Sequence, residues 1–139
     1  MNISIGNDHA GFEYKNYIIE KLKTDYNIIN HGTNDDKSVD YPDFAHLVAS
    51  DIENKISDLG ILICGSGNGV AMTANKHKKV RAALCWNKEI ARLAKQHNNA
   101  NIICIPARFI NKEEIVKIIK CFIESDYEGG RHERRISKI

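Results

Sequence analysis

A cysteine that closes an apolar run and opens onto alternating glycines, Ile61-Leu62-Ile63-Cys64-Gly65-Ser66-Gly67-Asn68-Gly69, is the segment of this chain best suited to chemistry. Glycines let backbone N–H groups converge without side chains in the way, and a helix N-terminus behind them adds partial positive charge, so such a loop holds anions. The same dipoles favour a thiolate and are expected to lower the thiol below its free value of ~8.5. The bland alternative for Cys64 is a small buried apolar residue. A second set stands near the N-terminus in Asn7-Asp8-His9-Ala10-Gly11. Asp8 could cap a helix and His9 could be an exposed loop residue, but a carboxylate, an imidazole and a thiol at one crevice would form a proton-transfer set.

Whether they meet depends on the elements around them. Short apolar runs alternate with amphipathic segments along the chain, the pattern of βα units around a parallel sheet. Strands are predicted at Ile3-Gly6, Asn27-Ile29, Leu59-Cys64, Ala82-Leu84 and Ile102-Ile105, and helices at Gly11-Lys23, Pro42-Asn54, Gly69-Lys76, Lys88-Gln96 and Lys112-Glu124. The expected fold is a three-layer α/β Rossmann-like domain over 1–139 with a five-stranded parallel sheet of order 2-1-3-4-5 and a basic tail from about 125 to 139. In that order the first and third strands are neighbours whose connections leave in opposite directions, and ligands bind where their carboxyl ends diverge. Asp8-His9 and the Cys64 loop would then face each other, with the irregular stretch from His31 to Ser38 beside them.

Composition removes several classes. Twenty Lys+Arg against eighteen Asp+Glu give a net charge of +2, so total charge carries no nucleic-acid or membrane footprint. No apolar stretch approaches the ~20 residues that span a bilayer. Cys85, Cys104 and Cys121 lie in or beside apolar runs, where burial is expected, and scattered cysteines without a signal peptide suggest a reducing, cytoplasmic setting. The glycine loop lacks the Gly-Lys-Ser/Thr ending of a P-loop and places its third glycine one residue early for a dinucleotide fingerprint. No local ligand spacing supports a metal site built from Asp8, His9 and Cys64. His97-Asn98-Asn99 reads equally as a helix stop, and Arg108 and the cluster Arg131-His132-Glu133-Arg134-Arg135 as solvated surface charge.

Taken in order, Asp8-His9, Tyr41-Pro42, the Cys64-to-Gly69 loop, Ala74-Asn75-Lys76, Gln96-His97-Asn98 and Tyr127-Glu128-Gly129-Gly130-Arg131-His132 make the chain resemble the type B ribose-5-phosphate isomerases over nearly its whole length. The resemblance implies a metal-free and cofactor-free enzyme of the pentose phosphate pathway. It would interconvert ribose 5-phosphate and ribulose 5-phosphate as a homodimer or homotetramer with sites at subunit interfaces. Cys64 is implied as the base at the substrate's C2, His97 as the acid that helps open the furanose ring with Asp8 assisting, and Ser66 as a neighbour of the reacting oxygens. Gly65, Gly67, Asn68 and Gly69 would supply loop N–H groups to an enediolate. Tyr41 would line the site, His9, Arg108, Arg131 and Arg135 would surround the phosphate, and Asn98 would hold a sugar hydroxyl. One branch of the family uses a glutamate where Val70 stands here, so this chain falls in the cysteine branch, although Ser66 and Asn68 look more like the other.

Two alternatives remain at this level. One is a related isomerase of galactose 6-phosphate or allose 6-phosphate; relatives of that kind can lack the His-Asn pair and the arginine tail, both present here. The other is a non-catalytic phosphosugar-binding module, which would need neither Cys64 nor His97. The topology adds an expectation of its own. Cys64 ends a strand and His97 immediately precedes one, so they belong to opposite edges of the sheet, and His97 and Asn98 are expected to enter the site from a partner subunit.

Overall fold

The structure is a computed structural model describing residues 1–139. Five parallel strands, β1 (Asn2–Asn7), β2 (Asn27–Asn30), β3 (Leu59–Cys64), β4 (Ala82–Leu84) and β5 (Ile102–Pro106), form one sheet. Six helices surround it: α1 (Phe12–Leu22), α2 (Tyr41–Glu53), α3 (Asn68–Ala74), α4 (Lys88–Asn98), α5 (Lys112–Glu124) and α6 (Arg131–Ile136). Alternation along the inner strands divides the core into two. Ile3, Ile5, Ile61, Ile63, Ile103 and Ile105 face α1, α4 and α5, whereas Leu62, Cys64, Ile102 and Cys104 face α2 and α3. Complete burial of such branched side chains contributes about 1.5–3 kcal/mol each. Pro42 sits in the first turn of α2, and Asn99 closes α4 in the left-handed conformation at φ 45°.

The strand order is 2-1-3-5-4, not the 2-1-3-4-5 expected from sequence. The difference has a compositional cause. β5 is apolar and buried at every position, whereas β4 has three half-buried residues, so β5 takes the inner place beside β3 and β4 becomes the edge. The open side of β4 is covered by a side chain: the Asn75 amide accepts from Ala82 N at 2.8 Å and donates to Ala82 O at 2.9 Å, standing in for a neighbouring strand. β1 and β3 remain adjacent, with Asn7 level with Ile63, so the crevice between their carboxyl ends survives the correction.

Polar groups buried beneath that crevice fix its walls. Asp51 of α2 accepts from Ser4 Oγ of β1 at 2.5 Å and pairs with His31 Nε2 at 2.6 Å, which ties α2 to the sheet. Lys15 of α1 is fully buried, and its ammonium donates to Thr33 O at 2.7 Å and Asn34 Oδ1 at 2.9 Å. It holds down the loop from His31 to Asp40; burial also pushes its pKa below the usual lysine range. Gly32 lies so close to Asn7 that an added Cβ would fall 1.6 Å from Asn7 Oδ1. Glycine-to-alanine changes in unconstrained loops stabilise by about 0.4–1 kcal/mol through chain entropy. Here the Asn7 side chain, whose amide donates to Asp8 O, must move, so Gly32→Ala is expected to destabilise by about 1–3 kcal/mol in urea unfolding. A stabilised variant would contradict the packing.

Candidate active site

The crevice at the carboxyl ends of β1, β3 and β5 holds a cavity of about 360 Å³ lined by Asp8, His9, Tyr41, Cys64, Gly65, Ser66, Gly69, Arg108 and Phe109. Eight of these nine are residues that sequence reasoning selected. Asp8 both caps a turn and lines the cavity. Its carboxylate caps the short 3-10 turn His9–Gly11 by accepting from Ala10 N at 2.9 Å, and it stands in the cavity wall. Its own N–H donates to Ile63 O at 3.2 Å, so the ends of β1 and β3 are laced together where the ligand space begins. His9 Nδ1 accepts from Val39 N at 3.4 Å, which anchors the imidazole to the loop before α2 and leaves Nε2 as its second nitrogen.

Cys64 is likewise both buried, at 4% exposure, and a wall of the cavity. Its Sγ accepts the Gly67 N–H at 3.1 Å, so the loop curls over the sulfur and fixes it. Gly67 makes this possible at φ 74°, a conformation that side chains disfavour. A Cβ there would also lie 2.4 Å from Leu84 Cδ1. The Asn68 N–H turns to Ser66 Oγ at 3.4 Å. Two of the loop donors expected to meet a substrate oxyanion are therefore engaged within the loop. The remaining cysteines differ in kind. Burial pushes the Cys85 thiol up to about 12 and holds Cys104 well above its ordinary value, so both are protonated near neutrality. Cys121 is half-buried on α5, more exposed than its apolar surroundings predicted.

Two glycines give space rather than flexibility. The Arg108 guanidinium lies across Gly65, with Cζ and Nε 3.2 Å from where a Cβ would stand, and Arg108 N donates to Gly65 O. The Tyr41 ring covers Gly69 in the same way, at 2.6 Å. A cation and a phenol are thus pressed onto the floor of the loop, an arrangement suited to a phosphorylated, hydroxyl-rich ligand. Phe109, 76% exposed at the rim, was not foreseen. Its only sequence signal was its place just beyond Arg108.

The remaining predicted residues lie elsewhere in the chain. Strands β3 and β5 run level, with Gly60 opposite Ile102 and Cys64 opposite Pro106. His97 and Asn98 end α4 just before β5 begins, so they sit at the amino edge, separated from Cys64 along the strand direction by on the order of 13 Å. Asn98 borders a separate cavity with Arg81, Asn75 and Ile139. The expected basic tail contains a helix: Gly129 and Gly130, both at positive φ, turn the chain into α6, which carries Arg131 and Arg135 exposed on its surface. Glu128 N donates to Gln96 O, and α6 packs beside α4, so the arginines share the amino-edge region with His97.

No helix is long and apolar enough to cross a membrane. The sequence profile of the Ribose/Galactose Isomerase family matches residues 3–139. Ribose-5-phosphate isomerase B of Escherichia coli is 36% identical, the alignment covering 99% of this chain and 93% of that protein. The structure superposes on ribose-5-phosphate isomerase B from Clostridium thermocellum with a TM-score of 0.98 at 40% identity, over 99% of this chain and 94% of the other. It superposes on the enzyme from Mycoplasma genitalium, solved with bound ribulose 5-phosphate, with a TM-score of 0.94 at 50% identity, over 99% and 92%. With its profile matched almost end to end and half its residues shared with one such enzyme, this chain belongs to the ribose/galactose isomerase family.

Proposed function

We propose that this chain is an aldose–ketose isomerase that interconverts D-ribose 5-phosphate and D-ribulose 5-phosphate. The observation that carries the reading is the cavity in which a fixed cysteine sulfur, a carboxylate, an imidazole and a guanidinium converge. Its support is a chain half identical to this one, solved with bound ribulose 5-phosphate. Moving a carbonyl from C1 to C2 requires removal of the C2 proton, stabilisation of the resulting enediolate and return of the proton to C1. Cys64 is the base in this reading, since Val70 offers no alternative group in the loop. Ser66 and the N–H groups not engaged within the loop meet the oxygens, and Asp8 assists ring opening. His9 and Arg108 take the phosphate end, with Tyr41 closing the side of the cavity.

His97 would donate the proton that opens the furanose ring, Asn98 would hold a sugar hydroxyl, and Arg131 and Arg135 would complete the phosphate clamp. The cross-sheet separation supports their entry from a second copy of the chain, because proton transfers to one small sugar need groups within hydrogen-bond reach of it. The proposed assembly is a homodimer, or a homotetramer built from two such dimers, acting in the cytoplasm. The exposed Phe109 at the cavity rim and Trp86 beyond β4 fit an edge that a partner covers. The mechanism calls on no metal.

The test is formation of ribulose 5-phosphate from ribose 5-phosphate, followed by NMR with chelator present. Activity is expected to persist in chelator, and Cys64→Ala is expected to lower kcat by about 10²-fold or more while leaving sugar-phosphate binding largely intact. Near-normal turnover by Cys64→Ala would remove the base from the mechanism. Iodoacetamide is expected to inactivate in step with modification of Cys64, with ribulose 5-phosphate protecting, while Cys85 and Cys104 stay unmodified in the folded protein. Arg131→Ala and Arg135→Ala are expected to raise KM more than they lower kcat, as loss of contacts equally strong in ground and transition states requires. Unchanged KM in both would return these arginines to the solvated surface.

A further inference from the structure

His132 does not belong among surface charges. It is 6% exposed although its neighbours Arg131 and Glu133 are exposed. Its ring lies flat against His97, with centroids 4.1 Å apart and planes inclined by 10°. Glu128 Oε2 lies 3.7 Å from His97 Nε2 and 3.8 Å from His132 Nε2, beyond direct hydrogen-bond distance of either. A long 3.5 Å contact brings the Arg131 Nε–H to His132 Nε2, which places the proton of neutral His132 on Nδ1.

We propose that His132 is a positioning residue for ring opening: its buried ring is the platform against which the His97 imidazole is held flat and aimed. This rests on the reading of His97 as the ring-opening acid. The two imidazoles are not interchangeable. His132 is held neutral first by burial, then by the neighbouring His97, Arg131 and Arg135, against the opposing pull of Glu128. His97 is half-buried, with a third of its side chain exposed. Of the pair, it is the one able to reach a substrate. The charged groups facing the stack are Glu128 from the turn before α6, Arg131 and Arg135 from α6, and Glu89 from the start of α4, whose carboxylate feels His97. A neutral His132 ring lets the His97 imidazole stack on it without the repulsion that two imidazolium ions would suffer.

Two imidazoles and a carboxylate with ligand atoms within 4.8 Å also resemble a metal-ligand set. The stacking argues against that use. A metal in line with both lone pairs must lie in both ring planes, which nearly parallel rings 4.1 Å apart do not share, and Arg131 brings a cation to one of the two nitrogens. The trio is arranged to hold a ring still.

The experiment compares wild type, His97→Ala, His132→Ala and His132→Phe on two substrates: ribose 5-phosphate and its 4-deoxy analogue, which lacks the hydroxyl needed to close a furanose and so presents no ring to open. His132→Ala is expected to lower kcat on ribose 5-phosphate by about tenfold or more and on the 4-deoxy analogue by less than about threefold. His132→Phe keeps a flat ring in the same place and is expected to restore most of the loss; because it also fills the buried space, it tests the idea even where the alanine variant folds poorly. An equal loss on both substrates would mark His132 as merely structural. A phenylalanine variant as impaired as alanine, or an alanine variant within twofold of wild type, would overturn the platform. Should His97→Ala itself match wild type on ribose 5-phosphate, the assignment of the acid fails first and takes this inference with it, a result separable from failure at His132 alone.

Discussion

All strands of a parallel sheet end on the same edge, and this constraint governs the rest of the molecule. Groups that follow strands gather on the carboxyl edge: Asp8 after β1, Cys64 closing β3, Arg108 after β5. Groups that end the returning helices gather on the amino edge, as His97 and Asn98 do at the end of α4. Strand length keeps the two sets apart by on the order of 13 Å between the levels of Ile102 and Pro106. Side-chain flexibility cannot close that gap, because both edges are pinned. Asp8 N–H is bonded to Ile63 O on one side, and Arg81 clamps the Asn98 and Asn99 carbonyls on the other. In the proposed mechanism, a reaction needing both sets draws them from different copies.

Within each set, positions are fixed by groups that never touch the cavity. Lys15 and Asp51 show the pattern: each is a buried charge with named partners, one holding the loop before α2 and the other holding α2 to β1. Such groups are costly to bury and, once paired, costly to disturb. Their reward is geometric. They hold Val39 where its N–H reaches His9 and Tyr41 where its ring covers Gly69. The glycine loop follows the same logic. It spends the Gly67 and Asn68 donors on Sγ and Ser66, so the loop is already shaped around the sulfur before any ligand arrives.

What could be read from sequence was whatever has a local cause. β3 and its loop were legible because a branched apolar run stops at glycines, and the crevice was legible because β1 and β3 must flank the switch point. The order of the last two strands was not. It depends on which of two apolar runs buries more completely, and the fully buried β5 displaced the short, half-buried β4 to the edge. Phe109 was missed because a lone exposed aromatic has no pattern. No helix was read in the basic tail because six residues of mostly charged helix carry almost no apolar periodicity; α6 is set by the positive-φ pair Gly129-Gly130 before it and by its own buried His132. His97 and Asn98 were singled out as site residues only through the family resemblance, and their distance from Cys64 follows from strand direction alone.

The shared site is the claim on which the mechanism turns, and subunit mixing measures it most directly. Cys64→Ala and His97→Ala proteins, each expected to be inactive alone, are refolded together and assayed on ribose 5-phosphate, with heterodimers counted by native mass spectrometry. Random pairing gives mixed dimers in which one site lacks both groups and the other has both, so activity is expected to return to about a quarter of the wild-type site count. No recovery with heterodimers present, or a monomer with full activity, would contradict the account.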